Sequence, residues 1–245
     1  MVLLALSSID LSFADGNENV LIGIAIAIVV VLLTLLSSKR KTFGASSVGG
    51  KKILFVGSCG AGKTCLAQKI ATGTFPNTVT SLEAYELHDK IGNSMIDFPG
   101  YPRLRASLER YIPDTKAIVF TVESRNQTRE SIQSSAELLA HILTRPSFIS
   151  GKIPILITAT KSDMHGAKSS AEIYRKLEVA LDKLKDTRSA LMETDNGMDA
   201  DNNETMLGTE ERFEFDVDVD AEVTHCSCSA KDGKLDDVVD FINSA

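Results

Sequence analysis

The octapeptide Gly57-Ser58-Cys59-Gly60-Ala61-Gly62-Lys63-Thr64 limits the possible folds of this chain more than any other stretch. It follows the apolar run Ile53-Leu54-Phe55-Val56 and leads into the helix-compatible Cys65-Leu66-Ala67-Gln68-Lys69-Ile70, a strand, loop, helix context. The fixed positions of G-x-x-x-x-G-K-[ST] are all met. Glycines at 57, 60 and 62 let the backbone turn tightly enough for its N–H groups to face a phosphate, and the helix behind adds its positive dipole end. Lys63 then supplies a point charge for the outer phosphates, and the Thr64 hydroxyl a magnesium ligand. A plain Gly-rich turn is the bland alternative, and the flanking strand and helix argue against it.

Downstream, Gly73 to Ser81 is rich in turn formers and hydroxyls and precedes a strand predicted over Leu82 to Asp89. A mobile loop holding a threonine suits a nucleotide switch, since one Thr can close over a γ-phosphate and its magnesium. Thr80 is the expected residue and Thr78 the alternative. Ser94-Met95-Ile96 then runs as a short strand into Asp97-Phe98-Pro99-Gly100, an Asp-x-x-Gly at a strand end. Asp97 at such a place can reach magnesium through water, and the Gly100 N–H can bond the γ-phosphate.

Residues 117–122 form an apolar run of the kind buried parallel strands show. Ser131 to Leu143 places Ile132, Ala136, Leu139 and Leu143 at helical spacing. Pro154-Ile155-Leu156-Ile157 is a further buried strand ending in Thr160-Lys161-Ser162-Asp163. A carboxylate at a strand's carboxyl end can accept guanine N1–H and N2–H, which adenine does not offer, while the lysine stem packs along the base. Ser169 to Leu191 reads as an amphipathic helix with a capping box at Ser169-x-x-Glu172 and Ile173, Leu177, Leu181 and Leu184 on one face. A last strand is predicted over Ala221 to Ser227, then Ser229-Ala230-Lys231 and a closing helix from Leu235 to Ile242.

Charge is unevenly spread. The net charge is -7, yet Leu191 to Asp220 alone carries eleven acidic residues and one basic residue. The acidity therefore belongs to one segment, and about 192–212 reads as a disordered acidic insertion, a partner-binding tail being the alternative. The four cysteines, at 59, 65, 226 and 228, show no zinc spacing and read as free thiols.

Upstream, Val20 to Leu36 is a charge-free run of seventeen residues, extended to residue 38 by two serines. It reaches about 26–28 Å, near the hydrocarbon thickness of a bilayer. Lys39, Arg40 and Lys41 follow it, while Asp10, Asp15 and Glu18 precede it. The positive-inside bias then predicts a short lumenal N-terminus over 1–19, a transmembrane helix over 20–38, a basic, flexible stalk over 39–50 and a cytosolic domain over 51–245. A cleaved signal peptide is the weaker reading, lacking a basic start.

Taken in order, Gly57 to Thr64, Asp97 to Gly100, Thr160 to Asp163 and Ser229 to Lys231 resemble the motif set of the small GTPases over about Lys51 to Ala245. With the upstream span, the Leu104-Arg105 after Asp-x-x-Gly and Phe213-Glu214-Phe215 before the last strand, the chain is similar to the beta-subunit family of the signal recognition particle receptor. These are endoplasmic reticulum GTPases related to Arf and Sar. The resemblance implies an α/β fold, a P-loop doubly wound mostly parallel sheet preceded by one transmembrane helix, binding GTP and Mg2+. It implies phosphate contacts from Gly57 through Thr64 and from Gly100. Thr64 and Thr80 would lie on magnesium with Asp97 behind through water. Thr160, Lys161 and Asp163 would read the base, with Ser229, Ala230 and Lys231 closing round it. The implied partners are the receptor alpha subunit's N-terminal domain and the endoplasmic reticulum membrane, with translocon and ribosome as further candidates and no direct nucleic-acid contact.

Two departures matter. Thr160 stands where Asn is usual, which predicts loss of an amide tie to the phosphate loop. Tyr101 takes the place of the water-orienting Gln, so no catalytic residue is assigned and GTPase activity is expected to be slow or partner-stimulated at most. The competing functions are an Arf/Sar-like GTPase of vesicle traffic and a nucleotide-poor membrane scaffold.

Overall fold

Continuous apolar runs form the middle of the sheet because both of its faces are covered. The computed structural model describes residues 52–194, 207–208 and 212–245. The predicted lumenal segment, transmembrane helix and stalk, and most of the acidic insertion, lie outside the described residues. Among the described residues, no helix is long and apolar enough to cross a membrane.

Six strands, β1 (Lys52–Gly57), β2 (Tyr85–His88), β3 (Ser94–Asp97), β4 (Thr115–Glu123), β5 (Ile155–Thr160) and β6 (Val223–Ser227), lie in the order β2-β3-β1-β4-β5-β6. All neighbours are parallel except β2, which pairs antiparallel with β3. The β2–β3 hairpin closes through Asp89, whose Oδ1 accepts from the backbone N–H of Ile91, Gly92 and Asn93 at 2.7–2.9 Å. Helices α1 (Lys63–Thr72), α2 (Arg129–Leu143), α3 (Pro146–Gly151), α4 (Ser170–Thr194), α5 (Phe215–Asp218) and α6 (Asp236–Ser244) complete the two outer layers.

The period-two alternation of β1 divides the core. Leu54 and Val56 join Ile118, Phe120, Ile155 and Ile157 under α2 and α4. Ile53 and Phe55 join Val119, Leu156, Leu66, Val238 and Phe241 on the face covered by α1 and α6. Each such side chain, fully buried, contributes about 1.5–3 kcal/mol. The α4 face predicted from Ile173, Leu177 and Leu181 is buried as expected, and Ser169 Oγ accepts from Glu172 N at 3.2 Å. Glu172 itself turns outward to Lys176 at 2.9 Å.

Several boundaries differ from the sequence reading. The strand expected over Leu82 to Asp89 is confined to Tyr85–His88, because β3 offers only four partners. A 3-10 helix, Pro102–Arg110, was not expected. Ion pairs hold it against α2 and its C-terminal neighbour: Arg105 with Glu137 at 3.3 Å, and Arg145 with Glu109. Leu207, within the acidic insertion, is buried in the core, as are Phe213 and Phe215. Acidic α4 side chains anchor this returning segment, Asp182 accepting from Phe213 N at 2.8 Å and Glu178 from Phe215 N at 3.3 Å.

The order reverses at β1, which has β3 on one side and β4 on the other. In such sheets a crevice opens at the carboxyl ends of the strands on either side of that point.

Candidate nucleotide site

The loop after β1 is shaped by close packing. A Cβ on Gly57 would lie 2.2 Å from Thr121 O on β4, so only hydrogen fits there. Gly62 adopts φ 82°, in the left-handed region that favours glycine, and turns the chain into α1. Helix α1 has neither a side-chain cap nor an acidic residue in its first turn. Its leading N–H groups therefore remain available to an external anion.

Lys63 is 6% exposed, and its ammonium donates to Gly57 O and Ser58 O, both at 2.9 Å. Burial lowers its pKa, partly opposed by Asp97 and Cys59. Across the loop, Asp97 at the end of β3 is 1% exposed. Its Oδ2 accepts from Thr64 Oγ1 at 2.5 Å, while its Oδ1 is buried with no hydrogen-bond partner among the described residues. Burial raises the Asp97 pKa, with Thr64, Lys63 and Ser81 pulling the other way. Both shifts indicate a desolvated pair of charges whose mutual attraction does not make up for the loss of water.

Ser81 Oγ lies 3.2 Å from Thr64 Oγ1. One carboxylate with a free oxygen beside two hydroxyls fits Mg2+, a hard cation that is held by one or two carboxylates together with phosphate oxygens and water. The serine was missed from sequence, where Thr80 and Thr78 drew attention. Thr80 is exposed on the cleft wall and Thr78 Oγ1 sits 3.1 Å from Cys65 Sγ.

Gly100 packs directly on the loop, since a Cβ there would come within 2.7 Å of Cys59 N, Gly57 O and Lys63 Nζ. Phe98 anchors this turn, its N–H donating to Phe55 O at 3.0 Å and its ring buried edge-on to Tyr111. Tyr101 follows, 42% exposed, at the start of the 3-10 helix.

The second half of the site forms at the end of β5. Thr160 Oγ1 donates to Ala61 O at 2.6 Å, with Val122 O at 3.2 Å. The predicted loss of a tie to the phosphate loop is thus corrected: the hydroxyl reaches the loop itself. Thr160→Val is expected to speed nucleotide release about tenfold and to lower stability by about 1–2 kcal/mol, because Ala61 O is left without its donor. Release kinetics and denaturant unfolding check this, and unchanged values in both would contradict it.

Asp163 Oδ1 accepts from Ser229 Oγ at 2.8 Å, and Ser229 Oγ accepts from Asp232 N at 3.1 Å. Ser162 N donates to Cys228 O at 3.1 Å, and paired bonds between Ser229 and Lys234 close the loop that carries Ala230 and Lys231. Lys161 has φ 59° and its ammonium meets Glu123 Oε2 at 3.0 Å. A cleft of about 230 Å³ joins Cys59, Gly60, Gly62, Lys63 and Thr64 to Thr80, Ser81, Gly100 and Lys161. A larger groove, about 860 Å³ between α2 and α4, is lined by none of the four nucleotide motifs.

A family profile described as signal recognition particle receptor beta subunit matches residues 49–223. The chain belongs to this family. The mouse signal recognition particle receptor subunit beta is 35% identical over 228 residues, covering 90% of this chain and 82% of that protein. The structure of the mammalian SRP receptor superposes with a TM-score of 0.66 at 31% identity, covering 79% of this chain and all of that one. The SRb-GTP/SRX complex of the signal recognition particle receptor from Chaetomium thermophilum shares the fold at a TM-score of 0.61 and 18% identity, covering 78% of this chain and 98% of that one. The small-GTPase fold predicted from the motifs is therefore present in this receptor-beta chain, as a mixed, mostly parallel sheet.

All four cysteines are free thiols. Burial pushes Cys226 up to about 11 and Cys228 up to about 12. Unfolded thiols titrate near 8.5, so the stability these residues contribute is full below that pH and is lost as pH rises through their folded values. Denaturant titrations should show stability falling above pH ~9 by up to ~1.4 kcal/mol per thiol per pH unit, an effect absent from a Cys226→Ala, Cys228→Ala variant. A pH profile identical in both proteins would contradict the assignment.

Proposed function

We propose that this chain is a membrane-anchored GTP-binding switch that recruits the receptor alpha subunit to the endoplasmic reticulum for co-translational protein targeting. The observation that carries the guanine assignment is Asp163, fixed by the Ser229 hydroxyl at 2.8 Å at the carboxyl end of β5, above a loop built for phosphate. In this reading the backbone amides of residues 58–64 and the Lys63 ammonium hold the phosphates. Lys161 covers the base, Asp163 accepts its N–H groups and Ala230 N donates to its oxygen.

Thr64, the free oxygen of Asp97 through water, and either Thr80 or Ser81 would hold Mg2+, which neutralises phosphate charge when bound. The Gly100 turn, lying against Lys63, must shift to admit a γ-phosphate, and that shift distinguishes the GTP state from the GDP state. Residues 1–19 would be lumenal, 20–38 would span the membrane and 39–50 would form a stalk. A related structure that pairs SRb, GTP and SRX supports the partner reading.

Tyr101 has no side-chain amide to orient an attacking water, so the switch holds GTP rather than turning it over. Single-turnover hydrolysis by the full-length protein alone should be slower than about 10⁻² s⁻¹. Unaided turnover at tens per second would reverse the reading in favour of a self-sufficient enzyme.

A further inference from the structure

A lysine that lies along a base needs a fixed stem, and its four rotatable bonds work against that. In this protein Lys161 is fixed at both ends. Its backbone sits at φ 59°, a left-handed conformation that a lysine rarely adopts and that surrounding contacts must impose. At the other end its ammonium meets Glu123 Oε2 at 3.0 Å, with both side chains partly shielded, at 35% and 22% exposure.

Glu123 is held in turn. It is the last residue of β4 and pairs in register with Thr160, the residue before Lys161. Its carbonyl accepts from the Gln127 side chain. The next residue is clamped from two sides, Ser124 N donating to Thr160 O at 3.0 Å and Ser124 O accepting from Lys168 N at 2.9 Å. The carboxylate that ends β4 thus stands on a rigid support, facing the lysine that follows β5 and lines the cleft.

The geometry points to Glu123 as a positioning residue that stretches Lys161 across the purine face and so slows nucleotide release. This rests on the guanine reading of Asp163 but concerns a different contact. Lys161 meets the face of the ring, whereas Asp163 reads its edge. Loss of Glu123 therefore weakens any purine with the same oxygen edge to the same degree.

The test uses the full-length protein in detergent and dissociation of a fluorescent, ribose-labelled GDP, with unlabelled GDP and inosine diphosphate as competitors. Glu123→Gln, which is isosteric, should speed release about tenfold. Glu123→Asp should recover part of the loss. In a Lys161→Met background Glu123→Gln should change nothing further, because the group it acts through is gone. The ratio of GDP to inosine diphosphate affinity should stay at its wild-type value.

Equal acceleration in both backgrounds, no acceleration in either, or a changed base ratio would each overturn the assignment. A wild-type protein that binds no guanine nucleotide would defeat the Asp163 reading itself. That outcome differs from one in which the wild type binds and only the Glu123–Lys161 coupling fails.

Discussion

Asp163→Ala is expected to lower GTP affinity about ten-thousandfold while the domain stays folded. A site built to accept two purine N–H groups rejects the ligand strongly when its acceptor is removed, because the ligand's donors are left unpaired in a dry pocket. The surroundings explain why one carboxylate has so large an effect. Ser229 donates to Oδ1 at 2.8 Å while receiving Asp232 N at 3.1 Å, so the carboxylate is oriented before any base arrives. Asp163→Asn makes a sharper case. An amide offers a donor where the carboxylate accepted, so GTP should be lost and xanthosine triphosphate, which presents an oxygen there, should bind in its place. Isothermal titration with both nucleotides checks the exchange.

The second large effect concerns Lys63. Lys63→Ala removes the point charge proposed for the outer phosphates and should weaken GTP binding about a thousandfold, the scale seen when one partner of a buried charge pair is deleted. Its effect on the empty protein should have the opposite sign. Burial lowers the Lys63 pKa, so the folded protein holds the charged form less firmly than the unfolded chain does, and the desolvated ammonium weighs against folding. Without nucleotide, the thermal midpoint of Lys63→Ala should match or exceed that of wild type. With saturating GTP, wild type should gain about 4 kcal/mol at a thousandfold excess over Kd, while the variant gains little. A variant that unfolds earlier without ligand but keeps its ligand-induced shift would show that Lys63 is structural.

The contrast between these residues and the ones sequence reading missed has a physical basis. The phosphate loop is contiguous, and its glycines, lysine and threonine occupy consecutive positions of one turn, so their order alone carries the geometry. The central strands were legible because both faces are buried, which leaves a continuous apolar run.

Thr160, Ser81 and Glu123 act across the fold. Thr160 reaches Ala61 O over a separation of 99 residues, and Ser81 finds Thr64 over 17. The Ser81 hydroxyl looks like ordinary loop polarity, and Thr160, although it sits in the expected base motif, shows no tie to Ala61 O until the sheet sets the distances. Glu123 left a faint trace, a lone acid at the end of β4, but its partner Lys161 comes within reach only once β4 and β5 pair and set Glu123 beside Thr160, the residue before Lys161. The 3-10 helix Pro102–Arg110 has little apolar content and is held by ion pairs, so periodicity could not reveal it. The burial of Leu207, and of the Phe213 and Phe215 noted before the last strand, was hidden for another reason. Sparse apolar residues in an acidic stretch look like disorder, yet Leu207 is buried, and Asp182 and Glu178 on α4 accept the backbone N–H groups of Phe213 and Phe215 and bring their rings into the core.

The most direct measurement joins base, switch and partner in one assay: capture of the receptor alpha subunit's N-terminal domain by the full-length protein with GTP, GDP or no nucleotide. Wild type should retain the domain with GTP and release it with GDP. Asp163→Asn should retain it with xanthosine triphosphate and not with GTP. Retention that ignores both the nucleotide and the Asp163 substitution would contradict a GTP-controlled receptor switch.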